Sequence, residues 1–292
     1  MPVNDALGAR MKEKYEMRAR SYLTPGVPVA IRIDGKAFHT FTKGFKKPFD
    51  RVLMTSMQKT MQYLCQNIQG CVFGYTQSDE ITLILIDYQT IDTDCWFGYQ
   101  VQKVCSVAAS MATMAFNKYF AENVANEVLE YRISMVPQCV EIQQEMKEYH
   151  DTLRTAVNKG AMFDARCFNI PKEEVTNLIY WRQLDATRNS IQMVGQANFS
   201  HKELQNKTCN MIQDMLHEQK GINWNDFPTV CKRGTACIKE RIILDKNSEE
   251  LYPYAAMLDE KSLYTRTEWV IDENMPILKG DDRSYVDVLV DF

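Results

Sequence analysis

The chain has 292 residues, 45% of them hydrophobic, which is enough for one large or two moderate domains with a buried core. It contains no apolar run near the roughly 20 residues that span a bilayer and no basic and apolar signal at its start, so we expect a cytoplasmic protein. The formal net charge is −4, so a nucleic-acid partner would have to bind at a local basic patch.

The nine cysteines are odd in number and scattered, without a Cys-x-x-Cys pair or histidines at zinc-finger spacing. We therefore expect reduced core thiols rather than disulfides or structural zinc. Three groups of cations are candidates for a polyanion contact, and each is equally compatible with solvated surface side chains. They are Lys43, Lys46 and Lys47 with interleaved phenylalanines, Arg182 with Arg188, and Lys232 with Arg233.

The beginning of the chain predicts a helix followed by a strand. Residues 6–22 are rich in Met, Glu, Lys and Arg, which favours a helix before the turn at 24–26. Residues 28–33 form a branched, partly alternating apolar run, which is typical of a strand. Asp34 and Gly35 end this run with a carboxylate and a residue that turns freely. We therefore place Asp34 at the tip of the first strand.

A helix and a β-hairpin are predicted next. Apolar residues recur every three or four positions after residue 50, with Met57 and Met61 on the buried face of a helix. Two apolar runs, at 71–75 and 80–86, are joined by a short polar link, which indicates a hairpin. Asp79 lies on that link, so we place it at the start of the third strand.

The middle of the chain alternates helix, strand and helix. Residues 101–115 predict a long helix because their apolar positions step by three or four without Gly or Pro. The charged, helix-prone residues 122–160 are interpreted as a helical insertion. Residues 162–170 predict a fourth strand, which Pro171 closes, and residues 172–185 predict a further helix.

The predicted order of elements defines a fold class. Strand, helix, strand, strand, helix, strand is the α+β, ferredoxin-like (split βαβ) pattern, here with helical additions. In this pattern the first and third strands are antiparallel neighbours, so Asp34 and Asp79 converge at one sheet edge. We assign residues 1–240 to a domain built on this pattern, with a helical insertion at about 122–160. Residues 241–292 are a C-terminal extension of unassigned role.

Two converging aspartates indicate a cation site, although aspartates at strand ends are also common as turn formers or caps. Converging carboxylates repel each other unless a positive charge lies between them. Oxygen ligands without a nearby histidine suit magnesium rather than zinc. The carbonyl oxygen of Gly35 is a further candidate ligand. Ser78, Lys47 and Lys103 are candidates to meet phosphate oxygens.

Three neighbouring residues are more ambiguous. Phe38 and His39 are either packed or solvated loop residues, or they contact the base and sugar of a nucleotide. Glu80 is a minor candidate, because strand alternation points it away from the side of Asp79. If two magnesium ions bind, the favoured chemistry is in-line displacement at phosphorus, as nucleotidyl transfer or cyclisation. Glycine-rich Walker and kinase loops are absent from the sequence, which disfavours a P-loop enzyme or a protein kinase.

Several segments together carry a family resemblance. The strongest are Arg-Ile-Asp-Gly-Lys-Ala-Phe-His at 32–39, Lys-Pro-Phe-Asp at 47–50, and Gly-Tyr-Thr-Gln-Ser-Asp-Glu at 74–80. Weaker ones lie at 103–106, 163–166, 181–183, 221–226 and 232–235. On these segments the chain resembles the tRNA-histidine guanylyltransferase family and its bacterial and archaeal relatives, the template-directed 3′-to-5′ polymerases. The resemblance covers roughly residues 5–240 and implies that the ferredoxin-like fold is a polymerase- or cyclase-type palm with helical additions, so that residues 1–240 would be a palm-type catalytic domain.

The resemblance implies a reaction and a set of site residues. A nucleoside triphosphate such as ATP activates the 5′ end of a tRNA, and the 3′-hydroxyl of an incoming nucleotide such as GTP attacks it. Asp34 and Asp79 would be catalytic, and together with the Gly35 carbonyl they would hold two Mg²⁺ ions. A homotetramer is also implied. The implied nucleotide-binding residues are Asp34, Gly35, Lys36, Ala37, Phe38, His39, Lys47, Ser78, Asp79 and Lys103.

One departure from the family pattern concerns the RNA substrate. Members that guanylylate tRNA-His have a His-Ile-Asn-Asn run after the Trp-Arg-Gln motif, whereas this chain has Thr187-Arg188-Asn189-Ser190 and keeps only Asn189. This fits better with relatives that repair 5′-truncated tRNAs, and guanylate addition to tRNA-His stays open. Two alternatives also stay open, a nucleotidyl or diguanylate cyclase on a related palm and a non-catalytic RNA-binding module. The predicted RNA-binding residues are Arg182, Arg188, Asn189, Lys232 and Arg233.

Overall fold

Six strands of the chain form one antiparallel sheet in the computed structural model, which describes residues 6–133, 140–245 and 263–291. The strands are β1 (Val29–Gly35), β2 (Cys71–Gln77), β3 (Glu80–Leu85), β4 (Phe163–Asn169), β5 (Thr235–Asp245) and β6 (Leu263–Asp272). Their spatial order is β4-β1-β3-β2-β5-β6.

Helices cover this sheet and connect its strands. No helix in the three described ranges is both long and apolar enough to cross a membrane. Short 3₁₀ turns lie at Met17–Ala19, Trp96–Tyr99, Trp224–Asp226 and Gly280–Arg283, and a π-helical turn lies at Lys12–Glu16. The α-helices are α1 (Ala6–Met11), α2 (Phe38–Phe41), α3 (Arg51–Asn67), α4 (Val101–Ile133), α5 (Val140–Lys159), α6 (Lys172–Asn198), α7 (His201–Leu204), α8 (Cys209–Lys220), α9 (Thr229–Arg233) and α10 (Ser284–Asp287).

The first and third strands are antiparallel neighbours, which confirms the pairing predicted from the order of elements. Ile31 lies opposite Leu83 and Asp34 lies opposite Glu80, so the end of β1 adjoins the start of β3. β2 and β3 form the predicted hairpin, in which Gln77 pairs with Glu80. β1 also pairs with β4 on its other side, so it is an inner strand of the sheet.

Helices α3, α4 and α5 cover one face of the sheet. Met57 and Met61 of α3 are buried in a cluster with Ile31, which confirms the helix face predicted from their spacing. This helix begins at Asp50, whose side chain accepts a hydrogen bond from the amide of Leu53 over 3.0 Å. The bond satisfies one of the free amides at the helix start and fixes where α3 leaves the preceding loop.

Helix α6 and the C-terminal residues cover the opposite face. Val175 and Ile179 of α6 are buried with Ala30 of β1 and Val286 of α10. The helix continues to Asn198, well beyond its predicted end, because its second half is buried against α8 in a separate cluster. Every cysteine in the described residues is a free thiol, as expected.

Two further predicted helices differ from the structure in extent. The N-terminal α-helix ends at Met11 and continues as π-helical and 3₁₀ turns, and none of the residues of α1 is buried, so no packing favours a longer regular helix. The helix predicted at 101–115 continues to Ile133, because no Gly or Pro interrupts it. Position 122 therefore lies inside α4, and position 240 lies inside β5. The division of the chain into domains stays a prediction.

Candidate active site

The turn after β1 is shaped by the contact between Gly35 and the ring of Phe38. A Cβ atom on Gly35 would lie 2.2 Å from Cδ2 of Phe38, so the position accepts only glycine in this packing. Ala37 has a left-handed backbone with φ of 54°, and the amide of Lys36 donates to the carbonyl of Met162 over 2.9 Å. These contacts fold the chain back over the end of β1.

The β2–β3 hairpin brings Asp79 to the same edge. The amide of Gly35 donates a hydrogen bond to the carbonyl of Asp79 over 3.1 Å, and Asp34 is in register with Glu80. Ser78 has a left-handed backbone with φ of 51°, and its hydroxyl donates to Oδ1 of Asp79 over 3.1 Å. The structure thus places Asp34, at the end of β1, next to Asp79, in the turn between β2 and β3.

Left-handed backbone outside glycine costs free energy, about 1 kcal/mol or more for each residue. Ala37 and Ser78 are two of the five such residues in the described chain, and they flank the two aspartates. Strained backbone of this kind clusters at functional sites, where the surrounding structure enforces it.

The carboxyl group of Asp79 is held in an unfavourable setting for its charge. Burial raises its pKa, and the negative charges of Asp34 and Glu80 raise it further. A bond from its own backbone amide and the hydroxyl of Ser78 oppose this and lower the pKa. The balance is upward, so the ionised form of Asp79 is destabilised by its surroundings.

Asp34 shows the same direction of shift. Burial raises its pKa first, and the charges of Glu80 and Asp164 add to the increase. Arg166 and Arg32 lower it, but they do not reverse the direction. Asp34 and Asp79 therefore share an edge at which negative charge is incompletely compensated by the protein.

Oxygen donors at this edge fit a hard divalent cation. Across the described residues neither Asp34 nor Asp79 forms an ion pair, so both carboxylates have free ligand capacity. The same residues contain no group of three or more His, Cys, Asp or Glu arranged for a metal. A cation would therefore be bound by two carboxylates, a backbone oxygen such as that of Gly35, and water. Mg²⁺, which keeps several of its waters, suits this donor set.

The predicted phosphate contacts lie on the surface. Lys36 and Lys47 are exposed in the loops that follow β1 and precede α3. Lys103 is exposed in the first turn of α4, and its ammonium lies 4.5 Å from the ring centroid of Phe97. His39 is exposed, and its Nε2 lies 3.0 Å from the hydroxyl of Thr40. These four side chains are accessible to a ligand, and their role in nucleotide binding stays a prediction.

Phe38 requires a correction. Its ring is only 5% exposed and packs at 5.1 to 5.6 Å between ring centroids against Phe41, Phe116 and Phe163. A base cannot reach this ring, so the predicted side-chain contact with a nucleotide is wrong. The sequence places Phe38 next to exposed residues, and only the tertiary packing shows that it anchors the loop in the core.

Arg182, predicted to bind RNA, is buried in an ion network. Its Nε lies 2.7 Å from Oε1 of Glu80, a close charge contact in which the N–H is not aligned as a hydrogen bond. Its Nη2 donates to Asp185 over 2.8 Å. Arg32 donates to the other oxygen of Glu80 over 2.8 Å. Arg182 therefore compensates buried carboxylates and is not available to an RNA phosphate.

Further along α6, the predicted RNA-binding residues are more accessible than Arg182. The side chain of Arg188 is 61% exposed and pairs with Asp185, and Asn189 donates to the same carboxylate over 3.4 Å. Arg188 is therefore accessible, as its predicted role requires. Asn189 lines a pocket that also includes Ser78.

The second predicted basic pair is mostly withdrawn from solvent. Lys232 is buried, donates to the carbonyl of Asn225 over 2.6 Å and lies 5.6 Å from the ring centroid of Trp224. Burial lowers the pKa of its ammonium, to which the neighbouring Arg233 also contributes. The prediction that Lys232 contacts RNA is corrected accordingly. Arg233 is half-buried, and its carbonyl accepts a 2.6 Å hydrogen bond from Tyr75.

A pocket beside Ser78 was not predicted. Its walls are largely apolar and come from four parts of the chain, namely α3 with its preceding loop, the hairpin, α6, and the segment from α9 into β5. Phe49, Met54, Asn189 and Val230 represent these parts. No local pattern marks such a pocket, because its residues are far apart in sequence and meet only in the folded chain.

The structure combines helices with one antiparallel sheet, and two carboxylates lie close together at one edge of that sheet. The family model described as "Thg1: tRNAHis guanylyltransferase" matches residues 8–171. The chain therefore belongs to the Thg1 family of tRNA(His) guanylyltransferases, which are nucleotidyltransferases.

Solved structures and sequence relatives agree with this assignment. A bacterial tRNA(His) guanylyltransferase (Thg1)-like protein in complex with ATP is 37% identical, with a TM-score of 0.75, and the match covers 98% of this chain and 99% of that one. Such a protein in complex with GTP is 36% identical, with a TM-score of 0.69 and coverage of 99% and 100%. The tRNA(His) guanylyltransferase of Saccharomyces cerevisiae is 23% identical over 80% of this chain and 91% of its own length.

Proposed function

We propose that this protein is a magnesium-dependent nucleotidyltransferase that adds nucleotides in the 3′-to-5′ direction to the 5′ end of tRNA. The observation that carries the proposal is the pair Asp34 and Asp79, which the fold holds side by side with raised pKa values and without an ion pair in the described residues. The family membership supports the reaction type, and the ATP and GTP complexes of similar proteins support nucleoside triphosphates as substrates.

The chain's own residues have distinct tasks in this proposal. Asp34, Asp79 and the Gly35 carbonyl hold two Mg²⁺ ions, which when bound neutralise phosphate charge and activate the attacking hydroxyl. Lys47 and Lys103 contact triphosphate oxygens. The other nucleotide-binding positions are Lys36, Ala37, His39 and Ser78, with Phe38 acting through its backbone and as the anchor of the loop.

The strand order supports a specific architecture for the catalytic unit. β4-β1-β3-β2 with crossovers through α3 and α4 has the order expected of a ferredoxin-like palm. We propose that residues 1–240 form this palm-type unit, with a helical addition at about 122–160, and that 241–292 extend it. A homotetramer and a cytoplasmic location also belong to the proposal, and size-exclusion chromatography with light scattering tests the former.

The RNA substrate is proposed to be a 5′-truncated tRNA or tRNA-His. The segment at 187–190, which keeps only Asn189 of the family's His-Ile-Asn-Asn run, favours repair of truncated ends. Incubation with truncated and full-length tRNAs, Mg²⁺ and labelled nucleotides compares the two substrates directly. A cyclic product from triphosphates without RNA would instead identify a cyclase.

Three variants test the assigned carboxylates in that assay. Asp34→Ala and Asp79→Ala should each reduce nucleotide addition by roughly a thousandfold or more, because a lost metal ligand removes several kcal/mol of transition-state stabilisation. Asp151→Ala is the matched control, since Asp151 is an exposed carboxylate of α5 that pairs only with the nearby Arg154. Near wild-type addition by either site variant would show that the carboxylates are not the metal site.

A further inference from the structure

Trp181 lies half-exposed in the middle of α6, although aromatic side chains of this size are usually covered. It is 50% exposed, and the guanidinium carbons of Arg182 and Arg32 lie 4.5 and 5.3 Å from its ring centroid. The two cations fix the ring in place without covering it. The nucleotide and metal site described above makes no use of this residue.

Further exposed side chains continue the surface. Leu184 and Arg188 follow Trp181 by three and seven positions, which places them on the same side of α6, and both are exposed. Arg166 of β4 lies directly opposite Arg32 in the sheet, and it is also exposed. We define the Trp181 patch as Trp181, Leu184, Arg188, Arg32 and Arg166.

The patch leads to the carboxylate pair. Arg32 precedes Asp34 by two residues on the same face of β1, which is a separation of about 7 Å along the strand. Arg182, next to Trp181 in the chain, contacts Glu80 beside the hairpin. The Trp181 ring therefore lies near the same end of β1, within reach of a nucleic-acid strand whose end is at Asp34 and Asp79.

The charge of the patch suits a polyanion. Asp185 is only 18% exposed and is already bound by Arg182, Arg188 and Asn189, so little of its charge faces solvent. Arg188, 61% exposed, extends beyond it. An exposed aromatic ring flanked by guanidinium groups is the arrangement with which proteins stack unpaired bases and contact the adjoining phosphates. Arg166 pairs with the exposed Asp164, Arg188 with Asp185 and Arg32 with Glu80, so a phosphate would be bound by the outer N–H groups that these pairs leave free on the two exposed guanidinium groups, those of Arg166 and Arg188.

We propose that the Trp181 patch binds the RNA substrate by stacking an unpaired nucleotide at the acceptor end on the Trp181 ring, with Arg188 and Arg166 beside its phosphates. The identity of the RNA rests on the proposed function. The stacking surface itself rests on the geometry of α6, β1 and β4.

The experiment measures binding of a 5′-truncated tRNA to Trp181→Ala, Trp181→Phe and the wild-type protein. Loss of one stacked base should weaken binding about 5- to 150-fold in Trp181→Ala, whereas Trp181→Phe keeps a ring and most of the affinity. ATP binding by equilibrium dialysis should be unchanged in both variants. Met114→Ala is the control, since Met114 is exposed on α4, on the opposite face of the sheet.

Two further readouts separate stacking from a structural role. Bound RNA should quench the fluorescence of the wild-type protein, and Trp181→Phe should lose part of that quenching because the stacked indole is gone. Arg188→Gln should reduce the slope of log affinity against log salt by about 1.

Each outcome decides one of the two proposals. Equal tRNA affinity of wild type and Trp181→Ala, together with active wild-type enzyme, would overturn the patch and leave the proposed function intact. A shift of the emission maximum with protein concentration that is lost in Trp181→Phe, without a response to RNA, would overturn it too, by showing that a second copy of the chain covers Trp181. Trp181-dependent RNA binding without nucleotide addition would support the patch and reject the proposed function.

Discussion

Asp79 and Glu80 are neighbours in the chain, and both lie near Asp34. The charge of Glu80 is compensated by arginines, whereas the charge of Asp79 is not. Glu80 is buried between Arg32 and Arg182, at 2.8 and 2.7 Å. Among the described residues, the hydroxyl of Ser78 and the amide of Asp79 itself are the groups that hydrogen-bond the Asp79 carboxylate, and its pKa is raised mainly by burial. One position along the chain separates a compensated carboxylate from an uncompensated one.

This difference shows how a carboxylate that stabilises the fold can be distinguished from one that binds a cation at a sheet edge. A buried carboxylate with its own arginines serves the fold, because removing a partner leaves an unpaired buried charge. A partly buried carboxylate that lies next to another and forms no ion pair with the protein gains its main stabilisation from a cation that binds there. The two aspartates fit the second description, and Glu80 fits the first.

The largest expected effect concerns Glu80, the carboxylate that is compensated by arginines. Arg182→Met should lower the free energy of unfolding by about 3 to 5 kcal/mol, because Glu80 and Asp185 lose a buried partner. Urea denaturation measures it. Arg188→Met is the control and should cost less than about 1 kcal/mol, since the pair it forms with Asp185 is solvent-exposed on the arginine side. A similar cost for both arginines would contradict the distinction drawn here.

Added Mg²⁺ should stabilise the protein through Asp34 and Asp79, the two carboxylates without an ion pair among the described residues. Mg²⁺ at 100 times its Kd should stabilise the wild-type protein by about 2.7 kcal/mol, seen as a rise in Tm. The double variant Asp34→Asn/Asp79→Asn should gain nothing from the same addition, and EDTA should reverse the effect in the wild type. Equal stabilisation of both proteins would place the cation elsewhere.

The turn that positions Asp34 is the next test. Gly35→Ala should destabilise the protein by about 1 to 3 kcal/mol, because the new Cβ overlaps the ring of Phe38. Adding Phe38→Ala should cost less than the sum of the two single changes, since the overlap is then removed. Thermal unfolding of the three variants gives the coupling, and strict additivity would show that the ring does not restrict position 35.

The smallest effect is a dependence of stability on pH without metal. The folded-state pKa of Asp79 is raised above its ordinary value of 3.8, so its ionisation opposes folding. Asp79→Asn should therefore be more stable than wild type above the folded-state pKa. That advantage should shrink as pH falls through it and vanish below 3.8. Tm measured across this range in EDTA provides the check, and a constant difference would point to another cause.

Much of the sheet could be predicted from local patterns. The apolar runs at residues 28–33 and 80–86 gave two strands, and their order implied the antiparallel pairing that brings Asp34 beside the hairpin. The spacing of Met57 and Met61 gave the buried face of α3. These features depend on alternation and helical period, which a sequence displays directly.

The burial of individual side chains could not be predicted in the same way. Arg182 and Lys232 are charged residue types that are usually exposed. They are buried here only because α6 and α9 pack against the sheet. Tertiary packing also explains why Phe38 is buried although the next residue, His39, is exposed. The regular apolar spacing at 101–115 marks only the first part of α4, so the charged remainder of that helix was assigned to an insertion.

The anchoring of Phe38 in an aromatic cluster has an evolutionary consequence. The ring packs against Phe116 of α4 and Phe163 of β4, so the hydrophobic core fixes the position of the loop. Lys36 and His39 on the same loop carry no part of that packing and face solvent. Natural variation at these two positions can therefore change the charge and shape of the exposed surface while the packing beneath stays constant.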